Sequence, residues 1–318
     1  MNFEQSILTL KEQLKCHLEI KNNKGIKAEN FVLVGMGGSA LAGGIIKSNN
    51  PKIPLAIHKS YGLPYIKEPQ KTLVIFSSYS GNTEETLDAL IEARKRGLKM
   101  AVISKNGKLL QIAKKENLPY IEIPNLNLQP RMALGFSTVS LIQILNLKKE
   151  LKKLKETAEK IDFSLLKKEG KSLSEKLKNL VPIIYASDKN IEIGYNMKIK
   201  FNENAKAPAF CSQIPESNHN EISSLNKKTI KFAKNLVPLF LKDESDHLRI
   251  KKRMEITKKI YKEEGFETIE IEIKGDFFEK YFLAGVLTDY ATFFLAQHYG
   301  FDPCSVPTIE KLKKEMGK

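Results

Sequence analysis

Cysteine is scarce in this chain, which has three among 318 residues. Cys16, Cys211 and Cys304 are odd in number, far apart in sequence and outside any Cys-X-X-Cys pair. This spacing argues against a disulfide framework and against a thiolate zinc site, and we expect no metal ion. Unpaired cysteines also fit a reducing compartment, so we predict a cytoplasmic location.

Arginine is scarce relative to the total charge. Lysine and arginine number 52 against 37 acidic residues, a net charge of +15, yet only five of the 52 are arginine. Such a charge favours anionic partners in general. Proteins that read nucleic-acid sequence depend on arginine for bidentate contacts to bases. We therefore interpret most of the charge as a solvated lysine surface and expect no nucleic-acid partner.

Long apolar runs are also missing. Residues 1–21 spread their charges at helical spacing and contain no apolar leader core. The longest strongly uncharged stretch, residues 31–46, is rich in glycine and too short to span a bilayer. We expect no membrane partner.

The first half of the sequence alternates short apolar runs with segments of helical length. Helices are predicted over residues 83–96 and 108–116, and Pro130 opens a further helical pattern. Buried strands that alternate with helices predict an α/β fold with a parallel sheet covered on both faces. The five predicted strands are residues 31–35, 53–57, 72–76, 100–104 and 120–123.

The second half repeats this scheme. The lysine-rich residues 148–178 predict a helical connection, and we place two domains at residues 1–155 and 156–318. Ser187 or Asp188 is expected to cap the helix that follows. The other predicted elements are strands over residues 181–186, 237–241 and 268–273 and helices over residues 245–263, 277–298 and 302–318.

A glycine-rich segment, Gly35-Met36-Gly37-Gly38-Ser39-Ala40, follows the first predicted strand. Glycines let the backbone approach a ligand, and the N–H groups that begin the next helix favour an anion. The segment also matches a dinucleotide fingerprint, which needs an acidic residue at the end of the second strand. That strand ends Ile57-His58-Lys59-Ser60, without an acid, so we disfavour a nicotinamide cofactor. A tight turn without a ligand is the remaining alternative.

A second segment, Ser77-Ser78-Tyr79-Ser80-Gly81-Asn82-Thr83-Glu84-Glu85-Thr86, follows the third predicted strand. Hydroxyls and backbone amides at the start of a helix can bind phosphate without a lysine or arginine. An ordinary capping box, with Ser80 or Thr83 as the cap, is the alternative. A cap needs one hydroxyl and this segment offers four in its first seven residues, which favours a phosphate site.

These two segments resemble the sugar isomerase (SIS) domain, which binds phosphosugars. Three further segments narrow the resemblance to the bifunctional phosphoglucose/phosphomannose isomerases of archaea and some bacteria. They read Pro130-Arg131-Met132-Ala133-Leu134-Gly135, Lys200-Phe201-Asn202-Glu203-Asn204-Ala205-Lys206-Ala207-Pro208-Ala209-Phe210 and Pro215-Glu216-Ser217-Asn218-His219-Asn220-Glu221. The resemblance runs from about residue 30 to the C-terminal helix. It implies two SIS-type subdomains, each a parallel sheet flanked by helices.

The resemblance implies a cofactor-independent isomerase that interconverts glucose 6-phosphate, and also mannose 6-phosphate, with fructose 6-phosphate through an enediolate, in glycolysis and gluconeogenesis. By this match, Glu203 is the base that moves the proton and Arg131 stabilises the enediolate. His219 and a C-terminal lysine open the sugar ring; Lys311 matches best, with Lys313 and Lys314 as alternatives. The residues expected to hold the phosphate are Gly38, Ser39, Ser78, Ser80 and Thr83.

The matched histidine reaches the active site from the other subunit in this family. The resemblance therefore implies a homodimer with active sites at the interface.

One departure from the family concerns the choice of substrate. The family commonly reads Asp-Pro-Thr where this chain has Asp302-Pro303-Cys304, followed by Ser305. The threonine is tied to acceptance of the mannose epimer, and a thiol forms weaker hydrogen bonds than a hydroxyl. Ser305 is a candidate substitute. The departure bears on mannose 6-phosphate more than on glucose 6-phosphate.

A non-catalytic SIS sensor, which binds a phosphosugar and changes partners, is the alternative function. It would share the phosphate segments and leave Glu203 dispensable. SIS regulators generally carry a DNA-binding helix-turn-helix ahead of this domain, and about 30 residues before the first strand are too few for one. Glu203, Arg131 and His219 together favour catalysis.

Overall fold

The computed structural model describes residues 1–23 and 25–317, and the chain divides into two compact units. The first unit contains residues 1 and 5–161, and the second contains residues 2–4 and 162–318. Each unit has its own parallel sheet flanked by helices, which confirms the predicted α/β fold. In the described part of the chain, no helix combines the length and apolar character needed to cross a membrane.

The first unit contains the strands β1 (Asn30–Val34), β2 (Leu55–His58), β3 (Thr72–Ser78), β4 (Lys99–Ser104) and β5 (Tyr120–Glu122). They form one sheet in the order β2-β1-β3-β4-β5, and all neighbours are parallel. The helices in this part of the chain are α1 (Phe3–Leu8), α2 (Leu10–Lys15), α3 (Gly37–Asn49), α4 (Glu84–Lys95), α5 (Gly107–Lys115), α6 (Leu134–Ile144) and α7 (Lys148–Glu159).

The central strand β3 explains why this sheet is covered on both faces. All seven of its residues are buried, and its apolar residues form a continuous run, as expected for a strand beneath helices on either side. Val74 and Phe76 pack in one core cluster with Leu90 of α4 and Leu109 of α5.

The second unit contains the strands β6 (Val181–Ser187), β7 (Phe210–Ile214), β8 (Leu236–Lys242) and β9 (Ile269–Glu272). They form a second parallel sheet in the order β7-β6-β8-β9. The helices of this unit are α8 (Phe163–Leu177), α9 (Ile191–Glu203), α10 (Ile230–Ala233), α11 (Leu248–Glu263), α12 (Phe277–Tyr299) and α13 (Pro307–Met316).

Strand β7 was absent from the sequence-based expectations. Its five residues mix apolar and polar side chains, and only Ile214 is fully buried. The strand lies at the edge of the sheet, where its pairing with β6 keeps it extended. Because four of its five residues are not fully buried, the strand has no clear hydrophobic pattern in the sequence.

Several helix starts differ from the prediction. Helix α13 begins at Pro307, five residues later than expected, and residue 318 of that prediction lies outside the described residues. A 3-10 turn begins at Pro130, so α6 begins only at Leu134. Neither Ser187 nor Asp188 caps α9, because another 3-10 turn precedes that helix and the Ser187 hydroxyl donates elsewhere. Helix α11 begins at Leu248, three residues later than expected.

Candidate active site

The two glycine- and serine-rich segments of the first unit meet at one edge of its sheet. The chain leaves β1 toward β2 on one side and leaves β3 toward β4 on the other. The strand order therefore reverses between β1 and β3. Open parallel sheets bind ligands in the crevice outside the strands at such a reversal. Residues 35–39 follow β1 there, and residues 79–83 follow β3.

The hydroxyl groups after β3 contact one another. The Ser78 Oγ lies 2.7 Å from the Thr83 Oγ1 and 3.5 Å from the Ser80 Oγ. The backbone N–H of Gly81 donates to the Ser78 Oγ at 3.1 Å, and that of Asn82 donates to the Ser80 Oγ at 3.3 Å. Thr83 precedes α4, yet its side chain does not cap the helix. The alternative of an ordinary capping box is therefore wrong, and the first turn of α4 keeps no side-chain cap.

Gly81 is required by the shape of this loop. Its φ of +69° is a left-handed conformation that favours glycine. A Cβ at this position would lie 1.7 Å from the backbone oxygen of Asn106. The hydroxyl loop is thus closely packed against the segment that follows β4.

Ser39 links the two loops, and Gly38 lets a third segment approach them. The Ser39 Oγ accepts a hydrogen bond from the Tyr79 N–H at 3.3 Å. A Cβ on Gly38 would lie 3.3 Å from the Pro130 carbonyl oxygen and 3.6 Å from the Arg131 Cα. Arg131 is 8% exposed. The structure thus brings the backbone of Arg131 to the glycine-rich loop, beside the candidate phosphate residues.

Glu203 is the last residue of α9, and it is half-buried. Buried polar contacts to α12 hold the turn that carries it. The Asn204 Nδ2 donates to the Asp289 Oδ1 at 3.3 Å and to the Thr292 Oγ1 at 3.0 Å. The Lys200 Nζ lies 2.6 Å from the Asp289 Oδ2, and both side chains are 7% exposed. Because a buried ion pair tolerates little displacement, this end of α9 is firmly placed.

His219 is exposed on a short 3-10 turn. Glu221, two residues later, anchors this segment to the sheet. Its carboxylate accepts hydrogen bonds from the Tyr185 hydroxyl at 2.6 Å and from the Ser212 hydroxyl. Burial, together with Tyr261 and Glu221, raises the pKa of Tyr185 well above its ordinary value, so that hydroxyl remains a donor. The imidazole is thus presented to solvent from a well-anchored segment.

Lys311 lies on the exposed helix α13, which has no buried residue. Lys313 and Lys314 share this helix and are also exposed. Because all three candidate lysines for ring opening are exposed, burial does not distinguish among them.

The turn that contains Cys304 contacts the segment that contains Glu203. The Asp302 carboxylate accepts hydrogen bonds from the backbone N–H groups of Cys304 at 2.9 Å and Ser305 at 3.2 Å. The Asp302 carbonyl oxygen accepts from the Lys206 Nζ at 2.5 Å. Nearly a hundred residues of sequence separate these two segments, and the lysine side chain joins them.

The second sheet has the same reversal of strand order, between β6 and β8. A buried polar network lies there, which the sequence analysis did not foresee. Asp243 accepts hydrogen bonds from the Lys280 Nζ at 2.7 Å and from the Asn190 Nδ2 at 2.9 Å. Asp246 accepts from the Ser187 Oγ at 2.8 Å. An acid directly after an apolar strand is the sequence signal that could have revealed this network.

The two carboxylates of this network titrate in opposite directions. Burial raises the pKa of Asp243, but hydrogen bonds, led by those from Lys280 and Ser245, outweigh it and hold that pKa below the ordinary 3.8. Burial is the main cause that raises the pKa of Asp246. A hydrogen bond from Ser187 lowers this pKa, and the negative charge of Asp243 raises it further. The charged form is therefore favoured at Asp243 and disfavoured at Asp246.

No group of three or more His, Cys, Asp or Glu side chains among residues 1–23 and 25–317 is placed to hold a metal ion. Burial is the main reason that the pKa of the Cys16 thiol rises to about 11 and that of the Cys211 thiol to about 12. Both thiols are therefore protonated near neutral pH and are poor nucleophiles.

Three residues that help to place Glu203 and Cys304 were not predicted for that role from the sequence: Asp289, Lys200 and Lys206. Asp289 lies in a long apolar helix pattern, where a lone acid requires a buried partner. That signal was present in the sequence, but it does not identify the partner.

Comparison with known proteins points to phosphosugar enzymes. Residues 166–316 match the bacterial phospho-glucose isomerase C-terminal SIS domain family. A bifunctional phosphoglucose/phosphomannose isomerase from Aquifex aeolicus is 36% identical over 91% of each chain. A D-glucosamine-6-phosphate 4-epimerase from Sulfolobus acidocaldarius is 35% identical over 62% of this chain and 65% of its own length.

Solved structures agree on the fold. The tagatose-6-phosphate ketose/aldose isomerase from Escherichia coli superposes with a TM-score of 0.71 and covers 95% of this chain and 94% of its own. Its sequence identity is 16%, so this likeness concerns the arrangement of strands and helices.

Proposed function

Since the chain belongs to the bifunctional phosphoglucose/phosphomannose isomerase family, we propose that it isomerises hexose 6-phosphates. It interconverts glucose 6-phosphate, and mannose 6-phosphate, with fructose 6-phosphate. The structural observation that carries this proposal is the hydroxyl cluster at the reversal point of the first sheet. The family relationship supports an enzyme rather than the sensor considered as the alternative. In the cell, we propose a cytoplasmic role in glycolysis and gluconeogenesis.

We assign the phosphate to the hydroxyls of Ser39, Ser78, Ser80 and Thr83. These groups lie beside the first turns of α3 and α4, whose N–H groups add a favourable field for an anion. Gly38 leaves room for the backbone of Arg131 beside the same loop. A site of neutral donors and helix termini holds a dianion without a lysine in the loop itself.

The proton transfer is assigned to Glu203. Its carboxylate takes the proton from C2 of the open-chain aldose and returns it to C1, while a proton moves from O2 to O1. The intermediate is an enediolate, whose negative charge the Arg131 guanidinium stabilises. Arginine suits this task because its charge does not titrate in the physiological range. His219 and Lys311 exchange protons with the ring oxygen and the C1 hydroxyl to open the sugar ring.

We propose that the enzyme is a homodimer in which His219 serves the active site of the other copy. The exposure of His219 supports this assignment. Mixing two inactive variants tests it directly. A heterodimer of Glu203→Gln and His219→Ala chains contains one site with both native residues, so activity should return after mixing under conditions that exchange subunits. If each site uses Glu203 and His219 of the same chain, the mixture stays inactive.

The first experiment measures the products of isomerisation. Purified protein treated with a chelator is incubated with glucose 6-phosphate and separately with mannose 6-phosphate, and fructose 6-phosphate is quantified. Turnover of both sugars is the expected result. Turnover of glucose 6-phosphate alone points to Cys304 and Ser305 as a change of specificity. Failure to turn over either sugar, with phosphosugar binding intact, contradicts the proposal.

Glu203→Gln tests the assignment of the base. We expect kcat to fall by at least about a hundredfold, because general-base catalysis contributes on that scale. Glu263→Gln is a matched control, since Glu263 also ends a helix and is exposed. Near-native turnover by a folded Glu203→Gln variant rules out this mechanism.

A further inference from the structure

Lys206 has an unusual backbone conformation for its residue type. Among the described residues other than glycine, six have a positive φ, and five of these are asparagine. Lys206 is the sixth, with a φ of 53°. Asparagine tolerates the left-handed region better than residues with long side chains. Asparagine occupies the other five positions of this kind. We therefore expect the longer lysine side chain to make contacts here that asparagine could not make.

The use of Lys206 is visible in the contacts of its ammonium group. The Nζ donates to the carbonyl oxygen of Asn204 at 3.2 Å, at the end of α9, where helix carbonyls lack partners within the helix. It also donates to the carbonyl oxygen of Asp302 at 2.5 Å. A side chain as short as that of asparagine lacks the four methylene groups that carry the ammonium to both carbonyl groups.

The turn that Lys206 contacts also has hydrogen bonds of its own. The Asp302 carboxylate accepts hydrogen bonds from the backbone of Cys304 and Ser305, and the Ser305 hydroxyl donates to the Asp302 carbonyl oxygen at 3.3 Å. These hydrogen bonds order the turn internally. The Lys206 ammonium links the turn to the end of α9, the segment that carries Glu203.

We propose that Lys206 is a specificity-positioning residue, which fixes the turn of residues 302–305 relative to the catalytic base and so sets the preference between glucose 6-phosphate and mannose 6-phosphate. The inference rests on the proposed isomerase function. The two sugars differ only in configuration at C2, the carbon from which Glu203 takes the proton. Discrimination between them therefore depends on the position of the base relative to the groups that contact that end of the sugar.

The test compares Lys206→Asn with Lys206→Arg in the full-length protein. Lys206→Asn keeps a residue that tolerates the left-handed backbone but removes the ammonium, whereas Lys206→Arg keeps a cation of similar reach. The measurement is the ratio of kcat/KM for glucose 6-phosphate to kcat/KM for mannose 6-phosphate. If mannose 6-phosphate is not turned over, its inhibition constant replaces its kcat/KM.

We expect Lys206→Asn to change this ratio at least about threefold, since a charge-assisted hydrogen bond is lost, and to keep its thermal midpoint. Lys206→Arg should restore a ratio close to that of the native chain. A residue that only stabilised the helix end would change both substrates equally. A native ratio in an active Lys206→Asn enzyme therefore overturns the inference, whereas an inactive native chain overturns the proposed function instead.

A double-mutant cycle that combines Lys206→Asn with Cys304→Ser gives a second measurement. If Lys206→Asn folds poorly, Lys206→Gln replaces it in the cycle, since glutamine also lacks the ammonium group. If Lys206 acts by placing the turn, its effect on the substrate ratio depends on the residue at position 304, and the two effects are not additive. Additive effects contradict the proposed coupling.

Discussion

The two sheets reverse their strand order in the same way but carry opposite chemistry at that point. In the first sheet, residues 35–39 and 79–83 offer hydroxyls, glycines and backbone amides, and no acidic residue. In the second sheet, residues 187–190 and 243–246 offer carboxylates, and Asp243 is paired with Lys189 and Lys280. The first edge suits an added anion. The second already contains its anion, Asp243, paired with Lys280.

This difference shows that strand order decides where a crevice forms, whereas side chains decide what the crevice can bind. A reversal of strand order creates a crevice wherever it occurs, because the connections leave in opposite directions. Which ligand the crevice takes depends on the residues that line it. Carboxylates repel a phosphate dianion, so the second edge disfavours an added anion, and its own ion pair stabilises it.

The largest expected effect comes from breaking the ion pair of the second sheet. Asp243→Asn should lower the free energy of unfolding by about 3–5 kcal/mol, because it leaves the buried ammonium of Lys280 without its counter-charge. Urea unfolding monitored by circular dichroism provides the measurement. The double variant Asp243→Leu/Lys280→Met should be more stable than either single change. A loss below about 1 kcal/mol would show that the pair contributes little.

The next effect concerns the hydroxyl loop of the first sheet. Gly81→Ala places a Cβ against the Asn106 carbonyl oxygen in a left-handed backbone, and we expect a cost of about 3 kcal/mol. Gly97→Ala is the matched control, since Gly97 has a φ of +62° but nothing within 4 Å of its Cβ position. It should cost about 1 kcal/mol. Equal midpoints for the two variants in urea unfolding would contradict the packing argument.

A smaller effect should follow from removing one phosphate donor. Ser78→Ala should weaken phosphate binding by about 2 kcal/mol, roughly thirtyfold, because a hydroxyl that donates to a charged group is lost. The inhibition constant of inorganic phosphate against isomerisation gives the measurement. Ser174→Ala is the control, since that buried hydroxyl donates within α8. An unchanged inhibition constant would show that Ser78 does not bind the phosphate.

The smallest expected effect is a difference between Asp243 and Asp246 in how stability depends on pH. The lowered pKa of Asp243 contributes stability that is present above its unfolded value near 3.8 and lost as pH falls below it. The raised pKa of Asp246 has the opposite effect, since the stability cost of its charged form grows as the pH rises above about 3.8 and is complete above the raised pKa. Asp246→Asn should therefore change stability by less than about 1 kcal/mol at pH 7, or increase it.

Unfolding free energies between pH 3 and pH 7 test this pair of variants. The deficit of Asp243→Asn relative to the native chain should shrink as the pH falls below about 4. The relative stability of Asp246→Asn should rise with pH over the same range. Parallel curves for the two variants would contradict the opposite pKa shifts.

Sequence patterns predicted the strands with apolar runs or regular alternation, such as β9, and missed β7, which has neither. Strand β3 is buried throughout, and its run of apolar residues identified it. Strand β7 has one fully buried residue, so it left no such signal. Helix starts were displaced where polar side chains were used elsewhere, as with Ser187, whose hydroxyl donates to Asp246 rather than to a helix N–H.

The candidate site likewise contains residues that the sequence identified and residues that only the structure revealed. Each candidate phosphate loop is contiguous in sequence, so its hydroxyls and glycines could be recognised directly. The resemblance suggested Glu203, His219, Arg131 and Lys311, whose chemical roles remain proposals. The groups that position them, such as Asp289 beside Asn204 and Lys200, are distant in sequence and reveal themselves only through contacts.

The sequence by itself determined the parallel α/β architecture, the candidate phosphate loops and the family, because hydrophobic runs and contiguous motifs are local properties of the chain. Only the tertiary structure decided which loops meet, that Asp243 is paired with Lys280, and that Lys206 contacts the turn of residues 302–305. Such pairings depend on how strands are ordered and helices packed. The free energy of a buried charge or hydrogen bond depends on partners that no local pattern specifies.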